Sequence, residues 1–264
     1  MRPGTEGTAH PAYGVLRPVT PSASVLLADN PSPMTLDGTN SWVLRAPGRA
    51  DCCVVDPGPL DEGHLARLAD QRPSLVVLTH GHADHSAGAQ RLSELTGAPV
   101  VALDPAHTTP GAEPLTREGE TVEAAGVTLS VLLTPGHTGD SLSLHLPADD
   151  AVLTGDTVLG RGTTVVAHPD GVLGDYLASL RRLRELGDAT VLPGHGPELA
   201  SAGTAAERYL AHREQRLEQV RAAVADGALG AREVVEVVYA DVDRVLWPAA
   251  ELSVRAQLAH LGLP

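Results

Sequence analysis

The sequence predicts an α/β layered fold with a small helical appendage at its C-terminal end. Three observations support that class. Short apolar runs of strand type alternate with helix-period segments over most of the chain. Most of those runs are bounded by Gly, Pro or Asp, which interrupt regular structure. After Pro197 the runs stop and only helical patterns continue.

The elements follow in chain order. A Pro/Gly/Thr-rich lead runs through Pro21 and carries Arg2 but no apolar segment of the signal type. Strands are expected at residues 52–55, 75–78, 100–103, 127–133, 142–146, 151–153 and 190–192, where branched and apolar side chains are continuous. Short helices are expected at residues 64–69 and 86–95, the second opened by Ser86 as N-cap. A firmer helix spans residues 172–186, because Leu173, Tyr176, Leu177, Leu180, Leu183 and Leu186 recur at steps of three and four. Between them Arg181, Arg182 and Arg184 read as a solvated outer face, with a basic patch as the alternative. Three further helices are expected at residues 204–226, 231–239 and 249–261. The domain expectation is therefore a catalytic unit over residues 1–203 and a helical unit over residues 204–264.

Composition narrows the function classes. A chain of 264 residues buries roughly 70–75% of its unfolded surface, so its core suffices without staples. Cys52 and Cys53 are the only cysteines and are adjacent, a spacing that rarely meets disulfide geometry; they read as buried small hydrophobes. No apolar run approaches the roughly 20 residues that cross a bilayer, so a soluble, cytoplasmic protein without membrane partners is expected. The formal charge of −14 argues against nonspecific binding of nucleic acid as the main task, since that binding rests on phosphate neutralisation. All nineteen basic residues are arginine, so anions must be met by guanidinium, main-chain N–H or a metal.

One structural refrain stands out among the twelve histidines. LVVLTHGH, SVLLTPGH, AVLTGD and TVLPGH each carry an apolar strand, then a glycine, then a metal-type ligand. Gly81, Gly136, Gly155 and Gly194 immediately precede those ligands and permit a sharp turn off the strand. The ligands should therefore gather at one edge of the sheets, where open α/β folds place their sites. The densest segment, His80-Gly81-His82-Ala83-Asp84-His85, holds four ligand-type residues within six positions. On a loop they can divide between two neighbouring ions, and imidazole with carboxylate suits zinc, with iron or manganese also possible.

HGHADH, followed in order by His137, Asp156 and His195, resembles the metallo-β-lactamase fold superfamily. The resemblance implies an αββα sandwich and a seven-ligand dinuclear site. His80, His82 and His137 would hold one metal; Asp84, His85 and His195 would hold the other; Asp156 would bridge them. NPSPMTLDGTNSW (30–42), GDTVLGRGTT (155–164), LPGHGP and YLAHREQR (209–216) are similar to the β-lactamase-like protein 2 group from about Val25 onward. That group carries a C-terminal winged-helix-like segment. It includes single-strand endoribonucleases and, in a related branch, thioesterases acting on carrier-bound polyketides. Two departures concern the substrate: the chain ends at Leu263-Pro264, where a truncated wing is expected, and Ser141 stands where some relatives have histidine.

Two metals roughly 3.5–4 Å apart can share a water and lower its pKa from about 15.7 towards 7. Such a hydroxide attacks an ester-type bond without a serine or cysteine nucleophile, and Asp84 would orient it as the catalytic carboxylate. Asp56 is either an acceptor behind a ligand histidine or a turn carboxylate before Pro57 and Gly58. Thr134, Thr138 and Ser141 could add hydrogen bonds. Asn40 could face the metal cavity or stabilise its turn, and Arg161 could meet an anionic substrate. His64 and His168 are expected to be structural or exposed, and His10, His107, His145, His212 and His260 receive no role. The expected partner is a small-molecule ester or thioester, with single-stranded RNA as the alternative. Outside hydrolysis, the same scaffold could serve as a diiron redox protein or a nucleic-acid-binding protein; the first would need a separate flavin partner.

Overall fold

The computed structural model describes residues 13–263. The start of the lead, with Arg2 and His10, and the terminal Pro264 lie outside the described residues.

Strands β1 (Arg17–Pro18), β2 (Ala23–Leu27), β3 (Asn40–Leu44), β4 (Cys52–Val55), β5 (Pro73–Val77) and β6 (Val100–Val101) form one sheet in that spatial order. Neighbours from β1 to β4 are antiparallel, whereas β4, β5 and β6 run parallel. Helices α1 (Glu62–Ala69), α2 (Ala83–Ser86) and α3 (Ala89–Thr96) supply its crossovers. The second sheet contains β7 (Thr121–Ala124), β8 (Val127–Leu133), β9 (Leu142–Leu146), β10 (Ala151–Gly155) and β11 (Thr190–Pro193). Helices α4 (Leu173–Arg184) and α5 (Ala202–Ala225) cover it, and α6 (Ala231–Val238) and α7 (Trp247–Leu261) complete the chain.

The continuous apolar runs now have a physical reason: the strands are covered on both faces. Cys53, Val55 and Val77 point between the sheets towards Leu129, Leu153 and Leu192. Their neighbours Cys52, Val54 and Val76 point outward to Leu65, Leu68 and Leu92 of α1 and α3. Val152 and Val191 likewise face Leu177, Leu180 and Ala206 of α4 and α5. Helices, two sheets and helices are therefore stacked as the expected αββα sandwich. Both cysteines are fully buried and unpaired. Burial pushes the Cys52 thiol up to about 11, so it is not a nucleophile at neutral pH.

Several elements depart from expectation. The segment 86–95 divides into α2 and α3, because the chain turns at Gly88, whose N–H donates to Gly58 O at 3.0 Å. Gly88, not Ser86, stands at the N-cap of α3; Ser86 Oγ instead donates to Gly81 O at 2.9 Å. Helix α1 starts two residues early, where Asp61 accepts from His64 N–H at 2.6 Å. Strands β1, β2, β3 and β7 add to those expected. Arg181 and Arg184 are exposed as expected, but Arg182 donates to Leu133 O at 2.6 Å and pairs with Glu118.

Helix α5 joins two parts of the molecule. Ala205, Ala206 and Tyr209 pack with α4 and the second sheet. Further along, Val220 and Ala223 pack with Val234, Val235, Trp247 and Val254 of α6 and α7 in a separate cluster. Among the described residues no strand follows α5, so no wing is seen.

Candidate metal centre

The strand-end refrain converges. His80 and His82 follow β5, His137 follows β8, Asp156 follows β10 and His195 follows β11. Asp84 and His85 ride on the single turn of α2, whose N-cap is His82. The two sheets meet at this edge: Leu142 N–H donates to Thr79 O and Asn40 N–H to Gly194 O, at 2.9 and 2.8 Å. Gly136 and Gly155 have φ of +131° and +46°, so the sharp turn accounts for them. Gly194 answers a different demand, close approach: a Cβ there would stand 2.7 Å from Asp156 Oδ1 and from His85 Cε1.

Donor atoms bound at about 2.0–2.1 Å in a tetrahedron stand roughly 3.3–3.4 Å apart. His82 Nδ1 lies 3.1 Å from both His80 Nε2 and His137 Nε2. His195 Nε2 lies 3.2 Å from His85 Nε2 and 3.1 Å from Asp84 Oδ2. Asp156 sits between these sets, with Oδ1 3.4 Å from His85 Nε2 and Oδ2 3.5 and 3.7 Å from His195 and His137 Nε2. His80, His82 and His137, then Asp84, His85 and His195, are thus two groups that could each hold an ion, and His80, His85 and Asp156 form a third that overlaps them. Asp156 Oδ1 is buried without a hydrogen-bond partner, an orphan that a cation would satisfy.

The outward ring nitrogens fix which nitrogen faces inward. A neutral imidazole carries one N–H, so a ring that donates outward presents a lone pair to the cluster. His137 Nδ1 donates to Val165 O at 2.7 Å and His195 Nδ1 to Gly38 O at 3.0 Å. His85 Nδ1 donates to Asp56 Oδ2 at 2.9 Å. Thr79 Oγ1 donates to Asp56 Oδ2 at 2.7 Å and accepts from His80 Nδ1 at 3.0 Å. Asp56 also accepts from Thr79 N–H at 2.8 Å. It therefore orients one ring of each group, one directly and one through Thr79.

Electrostatics agree with a cation site. Burial lowers His80 and His137, keeping them neutral. Burial acts against charge on His85 and His195 too, but Asp156 leads the opposing carboxylates and raises both, His195 to about 9. Burial alone would raise Asp156, yet His195 and His85 hold it well below the usual carboxylate range. The field at this spot attracts positive charge, which a divalent ion held by these residues would supply in place of the proton.

The remaining candidates divide. Asn40 is buried, and its Nδ2 donates to Pro193 O and Gly196 O at 3.0 and 2.8 Å; it clamps the turn that carries His195. Arg161 lines the cavity beside the cluster but pairs with Asp37. Thr134 bonds Ser143, and Thr138 bonds Ser141, so these hydroxyls shape the turn around His137 without touching a ligand ring. His64 meets Ser41 Oγ at 2.9 Å. Sequence reasoning missed Thr79, Tyr209 and Arg213. Tyr209 Oη accepts from Leu159 N–H at 3.0 Å, and Arg213 donates to Thr164 O. Thr164 in turn donates to Asp156 O at 2.7 Å. The YLAHREQR segment was the available signal, because it placed these side chains on one helix.

A cavity of about 330 Å³ opens from His137 and Asp156 and runs between the 159–165 loop, α5 and the C-terminal helices. Two sheets flanked by helices, with a His/Asp cluster at their common edge, define a metallohydrolase architecture. The metallo-beta-lactamase superfamily model matches residues 34–195, and the beta-lactamase associated winged helix domain matches residues 231–262. The chain belongs to the metallo-beta-lactamase superfamily, whose fold implies divalent-metal binding. It is 31% identical to the atrochrysone carboxyl ACP thioesterase of Aspergillus fumigatus, over 89% of this chain and 79% of that protein. It is 32% identical to the beta-lactamase-like protein 2 homolog of Drosophila melanogaster, over 92% and 88%. A beta-lactamase domain protein from Burkholderia ambifaria superposes with a TM-score of 0.82 at 26% identity, covering 97% of this chain and 90% of that one.

Proposed function

We propose that the chain is a dinuclear metal-dependent hydrolase of an ester-type bond, a thioester or carboxylic ester. The observation that carries this reading is the pairing of two three-donor groups around Asp156 at the mouth of a largely apolar cavity. The thioesterase relative from Aspergillus supports an acyl substrate. Bound divalent ions, zinc foremost and iron or manganese next, would supply Lewis acidity and a water nucleophile at neutral pH.

The chain's own residues do the rest. His80, His82 and His137 would form one binding set and Asp84, His85 and His195 the other, with Asp156 common to both. The Asp84 carboxylate is part-exposed at the cluster, where it can accept a proton from the attacking water and hold it at Oδ. Asp56 and Thr79 keep the His85 and His80 lone pairs aimed inward. The apolar walls exclude bulk water and strengthen each charge interaction inside.

The test is metal analysis together with a substrate panel. Purified zinc-loaded protein should hold close to two equivalents and turn over an aryl thioester. Asp84→Asn should reduce kcat by about 10²–10⁴, and His82→Ala should lose metal. Less than one equivalent of metal, or full activity in His82→Ala, would sink the proposal. Cleavage of single-stranded RNA with no thioester turnover would replace the substrate class.

A further inference from the structure

The helix α5 segment that begins at Tyr209 has one half explained: Tyr209 and Arg213 hold the loop after Asp156. In the other half, His212 Nδ1 and one edge of Arg216 have no protein partner among the described residues. The two residues are one turn apart on α5, so they share a face, and both line the cavity that starts at His137 and Asp156. His212 Nδ1 is buried without a hydrogen-bond partner. Arg216 Nη1 donates to Gln219 Oε1 and Val238 O at 2.9 and 2.8 Å, and the guanidinium stacks over Tyr239 at 4.6 Å. Its Nε–Nη2 edge, the fork that matches a carboxylate, has no protein partner among the described residues.

Charge in the cavity is unbalanced. Asp156 is the sole carboxylate among its lining residues, in a protein whose net charge is −14. Arg161 is neutralised by Asp37, but Arg213 and Arg216 carry no carboxylate partner among the described residues. Arg213 is buried, and its Nε is also without a hydrogen-bond partner. Burial, then Arg213 and Arg216, lower the His212 pKa, so the ring is neutral and can donate one N–H. A cationic end, buried at Arg213 and half-buried at Arg216, therefore faces a cavity whose sides, at Leu159, Val242 and Leu246, are apolar.

We propose that His212 and Arg216 form a carboxylate-binding subsite that selects acyl substrates with an apolar body and a terminal carboxylate. The inference rests on the hydrolase reading for the word substrate; the subsite itself stands on the cavity and its charges. About 330 Å³ suits a small acyl group and sits at the low end of small-molecule sites. One guanidinium fork and one imidazole N–H match the planar carboxylate better than a phosphate dianion, which asks for more donors.

Binding is measured on the metal-loaded protein by calorimetry with two amides that are not esters, octanedioic acid monoamide and octanamide. The monoacid should bind about tenfold or more tightly than octanamide. Arg216→Met should erase that preference, whereas Arg221→Met, which removes an exposed arginine elsewhere on α5, should retain it. His212→Leu, which leaves the Arg216 contacts to Val238 and Tyr239 intact, should weaken the monoacid selectively and covers the case that Arg216→Met misfolds. Equal affinity for both amides, or a preference that survives in both cavity variants, overturns the subsite. Displacement of the monoacid by a single-stranded oligonucleotide in an Arg216-dependent way overturns the carboxylate assignment. An Arg216-dependent preference in a protein that hydrolyses neither octanedioyl nor octanoyl phenylthioester supports the subsite and rejects the hydrolase reading instead.

Discussion

Asp56 shows how one carboxylate can serve two candidate metal groups. It lies at a positive φ of +53°, 1% exposed, and each of its oxygens accepts from Thr79 or His85. Asp56→Asn keeps the shape but replaces one acceptor with an NH₂ that opposes the donors. Metal affinity should fall about 10–100-fold, as read by chelator competition. A second prediction at this scale concerns His64, whose pKa is lowered to about 4, chiefly by burial. The native ring stays neutral while the unfolded chain's ring takes a proton below about 6.5. Stability is therefore lost as pH falls from 6.5 to 4, by on the order of 3 kcal/mol in full. His64→Gln should flatten that part of the pH–stability curve in denaturant titrations. The seven candidate ligands were legible because four of them follow a strand and a glycine, and the other three crowd the same short segment as His82. Asp56 and Asn40 were ambiguous because a turn residue and a buried clamp look alike until the partner strand is known. Thr79 acts through a tertiary contact for which local sequence has no mark, and the segment holding Tyr209 and Arg213 was visible but not the loop that it grips.

At the level of elements, turn geometry limits what the strand ends can tolerate. Gly136 combines φ of +131° with a Cβ direction that would meet Tyr176 N at 2.2 Å. Gly136→Ala should cost about 2–4 kcal/mol, with His137 displaced and metal retention reduced; thermal melts with metal analysis check both. Strands β4, β8 and β9 carry the bounds read from sequence: β4 is buried and apolar throughout, while β8 and β9 keep apolar residues at alternate positions facing the core. Strand β7 was missed because it is an edge of four residues with Thr121 and Glu123 exposed. Strand β2 had a usable signal, the apolar run from Val25 between Pro21 and Asp29, but the Pro-rich lead obscured it. Strand β3 starts on Asn40 and Ser41, both buried by specific hydrogen bonds, so its first half reads as loop. Helix segment 86–95 was divided by a backbone contact between Gly88 and Gly58 that periodicity cannot register.

For the whole molecule, stability and metal content should move together. A site filled at 100 times its Kd adds about 2.7 kcal/mol. Chelation should lower Tm by roughly 5–10 °C for a chain of this size, and added zinc should restore it. An unchanged Tm after complete metal removal would show that the folded chain holds metal no better than the unfolded one, against a metal centre at this cluster. Fold class was legible from the alternation of elements, and the helical end from its change of pattern after Pro197. The expected division at 203/204 falls at the start of α5, which packs on α4 first and on α6 and α7 later. Periodicity marks a helix but not a change of neighbours along it.

At 24 residues, α5 is a rod of about 36 Å. One stretch of it grips the loop bearing Asp156 through Tyr209 and Arg213, and a later stretch anchors the packing of Trp247 and Val254. A rod held at two points behaves as a lever. A volume change under Trp247, which packs on Val220 and Ala223 of α5, should tilt the same beam that holds the loop after Asp156. Substitutions in the C-terminal helices should therefore register at the metal edge through the position of the Asp156 loop.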